Sequence, residues 1–135
     1  MQAPDLSLMS LAILMCGAIP LFADFNRTHA TNPGWPAHAR FHVVTQVLTT
    51  SSIAAVALWL LWSPSIERSL GICIAAVPSL CVIGGFFAGA SLRRRYGGAL
   101  SDTDGGIPKL HKLDLNSINF GAAAVLLIAG RLILL

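Results

Sequence analysis

Charged residues are scarce in this chain: they make up 11% of its 135 residues, whereas hydrophobic residues make up 55%. A soluble globular domain carries about 25% charged residues. The mean hydropathy of +0.71, together with long apolar runs, is typical of an integral membrane protein. The composition therefore excludes a soluble domain, and the length fits one domain of about four membrane-spanning helices.

Several sequence signatures of enzymes and binding proteins are also absent. The chain contains no P-loop, no GxGxxG, no GxSxG and no HExxH sequence. Cys16, Cys73 and Cys81 lie within apolar runs without the spacing of a metal site, so we expect them to behave as small hydrophobic residues. The net charge of +3 is expected to reflect membrane topology, and no nucleic-acid partner is predicted.

Four apolar runs are long enough to cross a membrane as helices. The first has no basic segment before it, which argues against a cleaved signal peptide, so it is expected to remain as a transmembrane helix. The pattern predicts an all-α fold, an integral membrane four-helix bundle, formed by a single transmembrane domain. The predicted spans are residues 6–25, 41–62, 70–92 and 113–135.

Lysine and arginine are distributed unequally between the two ends of this predicted bundle. The loops 26–40 and 93–112 contain seven of the nine basic residues, and the opposite end contains Arg68 and Arg131. By the positive-inside rule, this split places both loops in the cytoplasm and both the N- and C-termini on the extracytoplasmic side. Membrane lipid is the expected surrounding partner of the four spans.

All four histidines and most of the acidic residues fall at the end of the bundle that carries the two basic loops. Polar side chains that enter hydrocarbon are expensive, so residues from four segments are expected to face one another. They predict a water-containing pocket at the cytoplasmic interface. Its candidate catalytic residues are Asp24, His38 and His42, and its candidate substrate-binding residues are Asn26, His29, Trp35, Gln46, His111 and Asn119.

His38 and His42 are four residues apart at the start of the second span, so both rings share one helical face. Such a face can relay protons or bind a metal. Alternatively, histidines at a membrane interface have a structural role, in which they cap helices and contact lipid headgroups. All three interpretations stay open here. No cofactor is predicted, although zinc or iron could occupy the pair. The His42 ring is predicted to point into the bundle, toward Asp24, His111 or Asn119.

Two aspartates lie at the ends of predicted spans. Asp24 ends the first span, and an aspartate in such a half-dry position can act as a proton donor. The alternative is a solvated residue at the membrane boundary. Asp114 lies at the start of the fourth span, where the helix dipole stabilises a negative charge. Helix capping is therefore preferred over an interaction with His111.

The segment Phe22 to His42, FADFNRTHATNPGWPAHARFH, resembles the signature of a small uncharacterised family of four-span membrane proteins from bacteria and fungi. That signature is close to D-x-N-x-T-H-x-x-N-P-x-W-P-x-H-A-R-F-H, and the family implies no stated activity. A looser, architectural likeness is to sterol-isomerase-like membrane proteins, whose four-helix core holds a lipophilic substrate against acidic and histidine residues. This likeness implies an isomerase-type reaction.

Two functional hypotheses follow. The first is an enzyme that isomerises, cyclises or hydrates a lipophilic small molecule by acid/base catalysis at Asp24 and the two histidines His38 and His42. The second is a non-enzymatic membrane component, a small transporter or an assembly subunit, in which the polar cluster is structural.

In addition, Gly85 and Gly89 have GxxxG spacing, which predicts a close helix contact with another span or with a second subunit in a homodimer.

Overall fold

Long apolar sequences form long helices in this chain, because a helix satisfies its own backbone hydrogen bonds in a medium without water. A computed structural model describes residues 4–100, 109–110 and 113–133. Over this part of the chain the predicted all-α four-helix bundle is confirmed, with a short antiparallel pair of two-residue strands before the last helix. The elements are α1 (Pro4–Asp24), α2 (Ala37–Trp62), α3 (Arg68–Leu92), β1 (Lys109–Leu110), β2 (Leu113–Asp114) and α4 (Leu115–Ile133).

All four helices are long and apolar enough to cross a membrane. Large apolar side chains stand outward from the bundle, and Phe22 and Val125 are 80% and 66% exposed to its surroundings. In water such exposure would be unfavourable, but in a bilayer it presents hydrocarbon to lipid. The chain is therefore a multi-pass membrane protein.

Helix α1 is central to the packing, because it contacts both α2 and α4 along much of its length. Helix α3 packs mainly against α2, and its contact with α4 is less extensive. The interior contains small and medium apolar side chains, among which Met9, Ile13, Val47 and Leu61 are the largest fully buried ones. The reduced α3–α4 contact leaves space between the helices, and the candidate site lies there.

Helices α1 and α2 approach closely at Gly17. A Cβ added to Gly17 would overlap with the Cβ of Ala54 and lie 3.3 Å from the carbonyl oxygen of Thr50. Small residues permit this distance between backbones, as in other membrane helix pairs. The GxxxG spacing predicts a close contact of α3 with another span or with a second subunit. Within the described residues, a Cβ added to Gly85 would meet no atom outside its own helix backbone within 4 Å, and one at Gly89 would meet only the Tyr96 hydroxyl, so the contact with a second subunit stays a prediction.

The helix starts differ in how they are capped. The Glu67 carboxylate accepts hydrogen bonds from the N–H groups of Ser69 (2.9 Å) and Leu70 (2.8 Å) at the start of α3. These bonds stabilise the charged form and lower the pKa of Glu67 below its ordinary value. Helix α2 begins at Ala37, four residues before the predicted span, because Pro36 sets the backbone for a helix start ahead of the apolar run.

Candidate functional site

A cavity of about 510 Å³ lies among the helices at the end where α1 and α3 finish and α2 and α4 begin. All four helices contribute to its walls, together with the segment that follows α3. The cavity occupies the region where α3 and α4 pack less extensively. Most of its lining is apolar or small, and the polar residues are Asp24, Gln46, Thr50, Arg93, Tyr96 and Asn116.

The apolar walls are formed largely by α1, α3 and α4. The rings of Phe86 and Phe120 stack across the α3–α4 contact with their centroids 4.4 Å apart. Cys16 and Cys81 also line the cavity, from α1 and α3. Small-molecule pockets commonly combine apolar walls of this kind with a small number of polar groups.

Pro20 gives the α1 wall an unusual backbone. A proline has no N–H group, so the carbonyl of Cys16, four residues earlier, has no helical donor, and both residues line the cavity. Side chains from other helices donate to the carbonyls on either side of Cys16: Asn119 to Met15 at 3.1 Å and Ser51 to Gly17 at 3.0 Å. These bonds hold α4 and α2 against the α1 wall.

Asp24 is the last residue of α1 and lines the cavity while remaining partly exposed. Its Oδ1 atom lies 3.8 Å from Nδ1 of His29, which is too long for a hydrogen bond but close enough for an ion pair when the ring is protonated. The backbone carbonyl of Asp24 accepts from the N–H of Ala30 at 3.0 Å, which folds the loop back over the end of α1. The loop thus places an imidazole beside a cavity carboxylate.

A chain of hydrogen bonds orients His29. The Thr28 hydroxyl donates to Oδ1 of Asn26 at 2.6 Å, so its oxygen is left to accept from Nδ1–H of His29 at 2.7 Å. The ring also packs edge-on against Trp35, with centroids 5.2 Å apart. In this arrangement the neutral ring carries its proton on Nδ1, the nitrogen that faces Asp24.

Asn26 is engaged within the loop. Its amide group donates to the carbonyls of Phe22 (3.1 Å) and Ala23 (2.7 Å), and its Oδ1 accepts from both the N–H and the hydroxyl of Thr28. The side chain therefore caps the C-terminal end of α1. The substrate-binding role expected for Asn26 stays a prediction, and the structure shows that Asn26 accepts hydrogen bonds from Thr28, which in turn contacts His29.

His38 and His42 pair with each other on the exposed surface of α2. Their Nε2 atoms are 2.9 Å apart, and their ring centroids are 4.4 Å apart at an interplanar angle of 82°. Both side chains are exposed, and neither lines the cavity. The prediction that the His42 ring points into the bundle is therefore wrong. The helical face that carries His38 and His42 reaches the cavity only one turn further along α2, at Gln46.

The remaining predicted site residues occupy different environments. Gln46 lines the cavity, whereas Asn119 lies behind the wall, where its amide group bonds to Met15 and its buried Oδ1 has no hydrogen-bond partner within the described part of the chain. Asn116, one turn earlier on α4, lines the cavity instead. His111 lies outside the described residues.

No group of three or more histidine, cysteine, aspartate or glutamate residues that could hold a metal ion occurs in residues 4–100, 109–110 and 113–133. The sequence-based suggestion of zinc or iron therefore rests on the His38 and His42 pair, which offers two ring nitrogens.

A comparison with known families gives a match over the first three helices. A model for DUF6640, a family of unknown function, matches residues 8–87, which is more than half of the chain. The chain belongs to the DUF6640 family. The predicted membership in an uncharacterised family is thereby confirmed, whereas the signature within Phe22 to His42 and the likeness to sterol-isomerase-like proteins stay predictions. No curated protein and no solved structure was found to match the chain.

The DUF6640 match contains much of the cavity but not all of it. Asp24, Gln46 and Thr50 fall within the matched residues, and so does the apolar α3 wall as far as Phe86. The C-terminal part of α3, the segment after it and α4 lie beyond the match. The carboxylate of the cavity is thus in the segment shared with the family model.

Two cavity residues of this DUF6640 protein were not expected from the sequence. Arg93 entered the sequence analysis through the basic residues of loop 93–112 that indicate topology, without a place in the predicted site, and Tyr96 was not considered. The Tyr96 hydroxyl donates to the carbonyl of Gly89 at 2.9 Å, which turns the chain back over the end of α3 and places both residues on the cavity wall. A tyrosine directly after an arginine run was the available signal, since both often lie at a membrane interface.

Proposed function

We propose that this protein binds a lipophilic small molecule with one polar end, and that it isomerises or cyclises this molecule by acid/base catalysis at Asp24. The observation that supports the proposal most directly is the position of the Asp24 carboxylate on a cavity with predominantly apolar walls. Apolar walls bury the hydrocarbon of a ligand, and a few polar groups orient it. Arg93, Gln46 and Tyr96 provide such groups.

In the proposed reaction the substrate gains one proton and loses one, so there is no net uptake or release of protons. Asp24 in its acid form adds a proton at one atom of the substrate, and the carboxylate then removes a proton from another atom, which moves a double bond or closes a ring. His29 would exchange protons between Asp24 and water, since its Nδ1 lies 3.8 Å from the carboxylate and its ring is held by Thr28 and Trp35. The proton-transfer role predicted for His38 and His42 is not part of this proposal, because both lie off the cavity.

The proposed orientation follows from charge. Seven of the nine lysine and arginine residues lie in loops 26–40 and 93–112, at the end of the bundle where the cavity is found. In this orientation the cavity opens toward the cytoplasm, and substrate enters from the inner leaflet or from the cytoplasm. Protons for Asp24 would then come from the cytoplasmic side.

The alternative is a non-enzymatic membrane component, and one observation favours it. The polar groups of the loop after α1 largely satisfy each other: Asn26 with Thr28, and Thr28 with His29. Such a network is sufficient to tie the loop to the bundle without any ligand. Under this alternative, loss of Asp24 would affect stability but no chemical reaction.

Solvent deuterium incorporation separates the two hypotheses. Protein purified in detergent is extracted, the co-purified lipophilic molecules are identified by mass spectrometry, and these molecules are incubated with fresh protein in D₂O. Wild-type protein should introduce deuterium into them at carbon, and Asp24→Asn should lower the rate by about 10²-fold to 10⁴-fold, the usual contribution of a general acid or base. Glu67→Gln, at the opposite end of the bundle, should leave the rate unchanged.

Two results would count against the proposal. Equal deuterium incorporation by wild type and Asp24→Asn would remove Asp24 from the chemistry. Absence of both a bound molecule and incorporation, with Asp24→Asn less stable than wild type, would support the structural alternative.

A further inference from the structure

We propose that His38 and His42 form a binding site for one divalent transition-metal ion on the surface of α2, separate from the cavity. The observation is the geometry of the pair: the two Nε2 atoms face each other at 2.9 Å, and both rings are exposed. This inference is independent of the chemistry proposed for Asp24. It concerns residues that do not line the cavity.

The distance between the two nitrogens is close to the distance expected when two histidines bind one metal ion. Zinc binds histidine nitrogens at about 2.0–2.1 Å, so two nitrogens in tetrahedral coordination are about 3.3 Å apart. Small rotations of the two side chains would widen the observed 2.9 Å to that value. In the hydrogen-bonded pair the two Nε2 atoms point at each other, and the same rotations would turn both lone pairs toward one ion held between them.

The pair is ordered by its own helix. His38 and His42 are one helical turn apart within α2, and the His38 ring stacks at 6.4 Å on Phe41 with an interplanar angle of 15°. A rigid helix holds the two ligands in register, so less freedom is lost when the metal binds than on a flexible loop. The site is therefore preorganised although it is exposed.

The chemistry of the ligands selects the metal. Imidazole nitrogens suit zinc, copper and nickel, whereas magnesium and calcium prefer oxygen ligands. For nitrogen ligands the Irving–Williams order places Cu²⁺ above both Ni²⁺ and Zn²⁺ in affinity. Since the described part of the chain offers no third histidine, cysteine or acidic ligand in a group with this pair, water would complete the coordination sphere.

Copper titration followed by electron paramagnetic resonance tests the site. Tag-free protein in detergent is titrated with Cu²⁺, and the spectrum should show one ion per chain with coupling to two nitrogens. Zn²⁺ should displace the copper, and Mg²⁺ in large excess should not. His38→Ala and His42→Ala should each weaken Cu²⁺ binding by about tenfold or more, since a single imidazole cannot chelate.

Two matched controls distinguish chelation from a general effect of histidine. His29→Ala removes another histidine from the same end of the bundle and should leave Cu²⁺ affinity unchanged. The double variant His42→Ala/Val43→His keeps the number of histidines but separates them by five residues, which turns the second ring about 140° away from the first on a helix. It should bind Cu²⁺ as weakly as His42→Ala, and circular dichroism should show an intact helical fold in every variant.

The proposal is overturned by any of three results: wild-type protein that binds no Cu²⁺, wild-type protein whose spectrum shows no nitrogen coupling, or a double variant that binds as tightly as wild type. A loss of binding in His29→Ala equal to that in His38→Ala would also overturn it, because the ion would then lie elsewhere.

Discussion

The hydroxyl of Ser51 donates a hydrogen bond to the backbone carbonyl of Gly17, 3.0 Å away, and so links α2 to α1. Gly17 also packs directly against Ala54, one turn further along α2. Gly17 lies three residues before Pro20, which lines the cavity and deprives the backbone of α1 of one helical hydrogen bond. In membranes, serine side chains from neighbouring helices commonly support backbone near a proline in this way. Ser51 and Ala54 thus hold α2 against α1.

The first prediction concerns this contact. Gly17→Leu places side-chain atoms where Ala54 and the Thr50 carbonyl already lie, so it should lower the free energy of unfolding by about 1–3 kcal/mol, as overpacking does. Thermal denaturation in detergent measures the change. Gly84→Leu is the matched control, because a Cβ at Gly84 would meet no described atom outside its own helix backbone within 4 Å. Equal stability of the two variants would show that α1 and α2 are free to separate.

The second prediction concerns the start of α4. The Asp114 carboxylate accepts hydrogen bonds from the Ser117 N–H (2.9 Å) and hydroxyl (2.7 Å), so the capping role expected from the sequence is confirmed. Burial raises the pKa of Asp114, but the hydrogen bonds from Ser117 and from the backbone N–H groups of Asp114 and Asn116 together lower it by more, and the net pKa lies below the ordinary 3.8. Asp114→Ala should lower the free energy of unfolding at neutral pH by about 0.5–2 kcal/mol.

The sign of the pH dependence follows from that depressed pKa. The native state binds the Asp114 proton less tightly than the unfolded chain, so the ionised cap contributes its full stability above the unfolded value and loses it as the pH falls through the lower, folded pKa. The difference in melting temperature between wild type and Asp114→Ala should therefore shrink between about pH 5 and about pH 2. Asp114→Asn, which retains a capping oxygen, should lack this dependence, and a gap that widens on acidification would contradict the assignment.

The third prediction distinguishes two roles for adjacent glycines of α3. Gly85 lines the cavity with open space around it, whereas Gly84 does not line it. Gly85→Leu should fill part of the cavity and reduce binding of an apolar fluorescent probe by about tenfold or more, since a leucine removes much of the room a ligand needs. Gly84→Leu should bind the probe as wild type does.

The same variants test the homodimer predicted through Gly85 and Gly89. Light scattering in detergent measures the mass of each variant. A dimer in wild type that is lost in Gly85→Leu, with probe binding retained, would support the subunit contact over the cavity role. A probe-binding defect with unchanged mass would support the cavity role.

The fourth prediction concerns orientation. A reporter fused after Leu135 should be extracytoplasmic, and one inserted after Gly98 should be cytoplasmic, because seven of the nine basic residues lie in loops 26–40 and 93–112. Compartment-specific activity of the two reporters provides the measurement. The reverse pattern would contradict the predicted orientation, and it would move the cavity mouth to the other side of the membrane.

Much of the architecture could be predicted, because each helix is specified locally. The length of an apolar run predicts a membrane helix without any information about its neighbours. Proline, glutamate and aspartate mark helix starts, as at Pro36, Glu67 and Asp114. The close approach found among the described helices is at Gly17 and not at Gly85 or Gly89, because GxxxG spacing shows that a close approach is permitted but does not identify the partner. Gly17 meets Ala54 only because α1 and α2 are antiparallel neighbours in the bundle.

For the candidate site, the sequence by itself determined that polar and titratable residues collect at one end of four apolar spans, and that His38 and His42 share a helical face. It could do so because both facts depend only on spacing along a helix and on the cost of polar groups in hydrocarbon. The tertiary structure alone decided which of them meet. Asp24 and Gln46 reach the cavity, while the histidine pair remains on the surface, because the rotation of α2 about its axis and the turn after α3 are set by packing between helices distant in sequence.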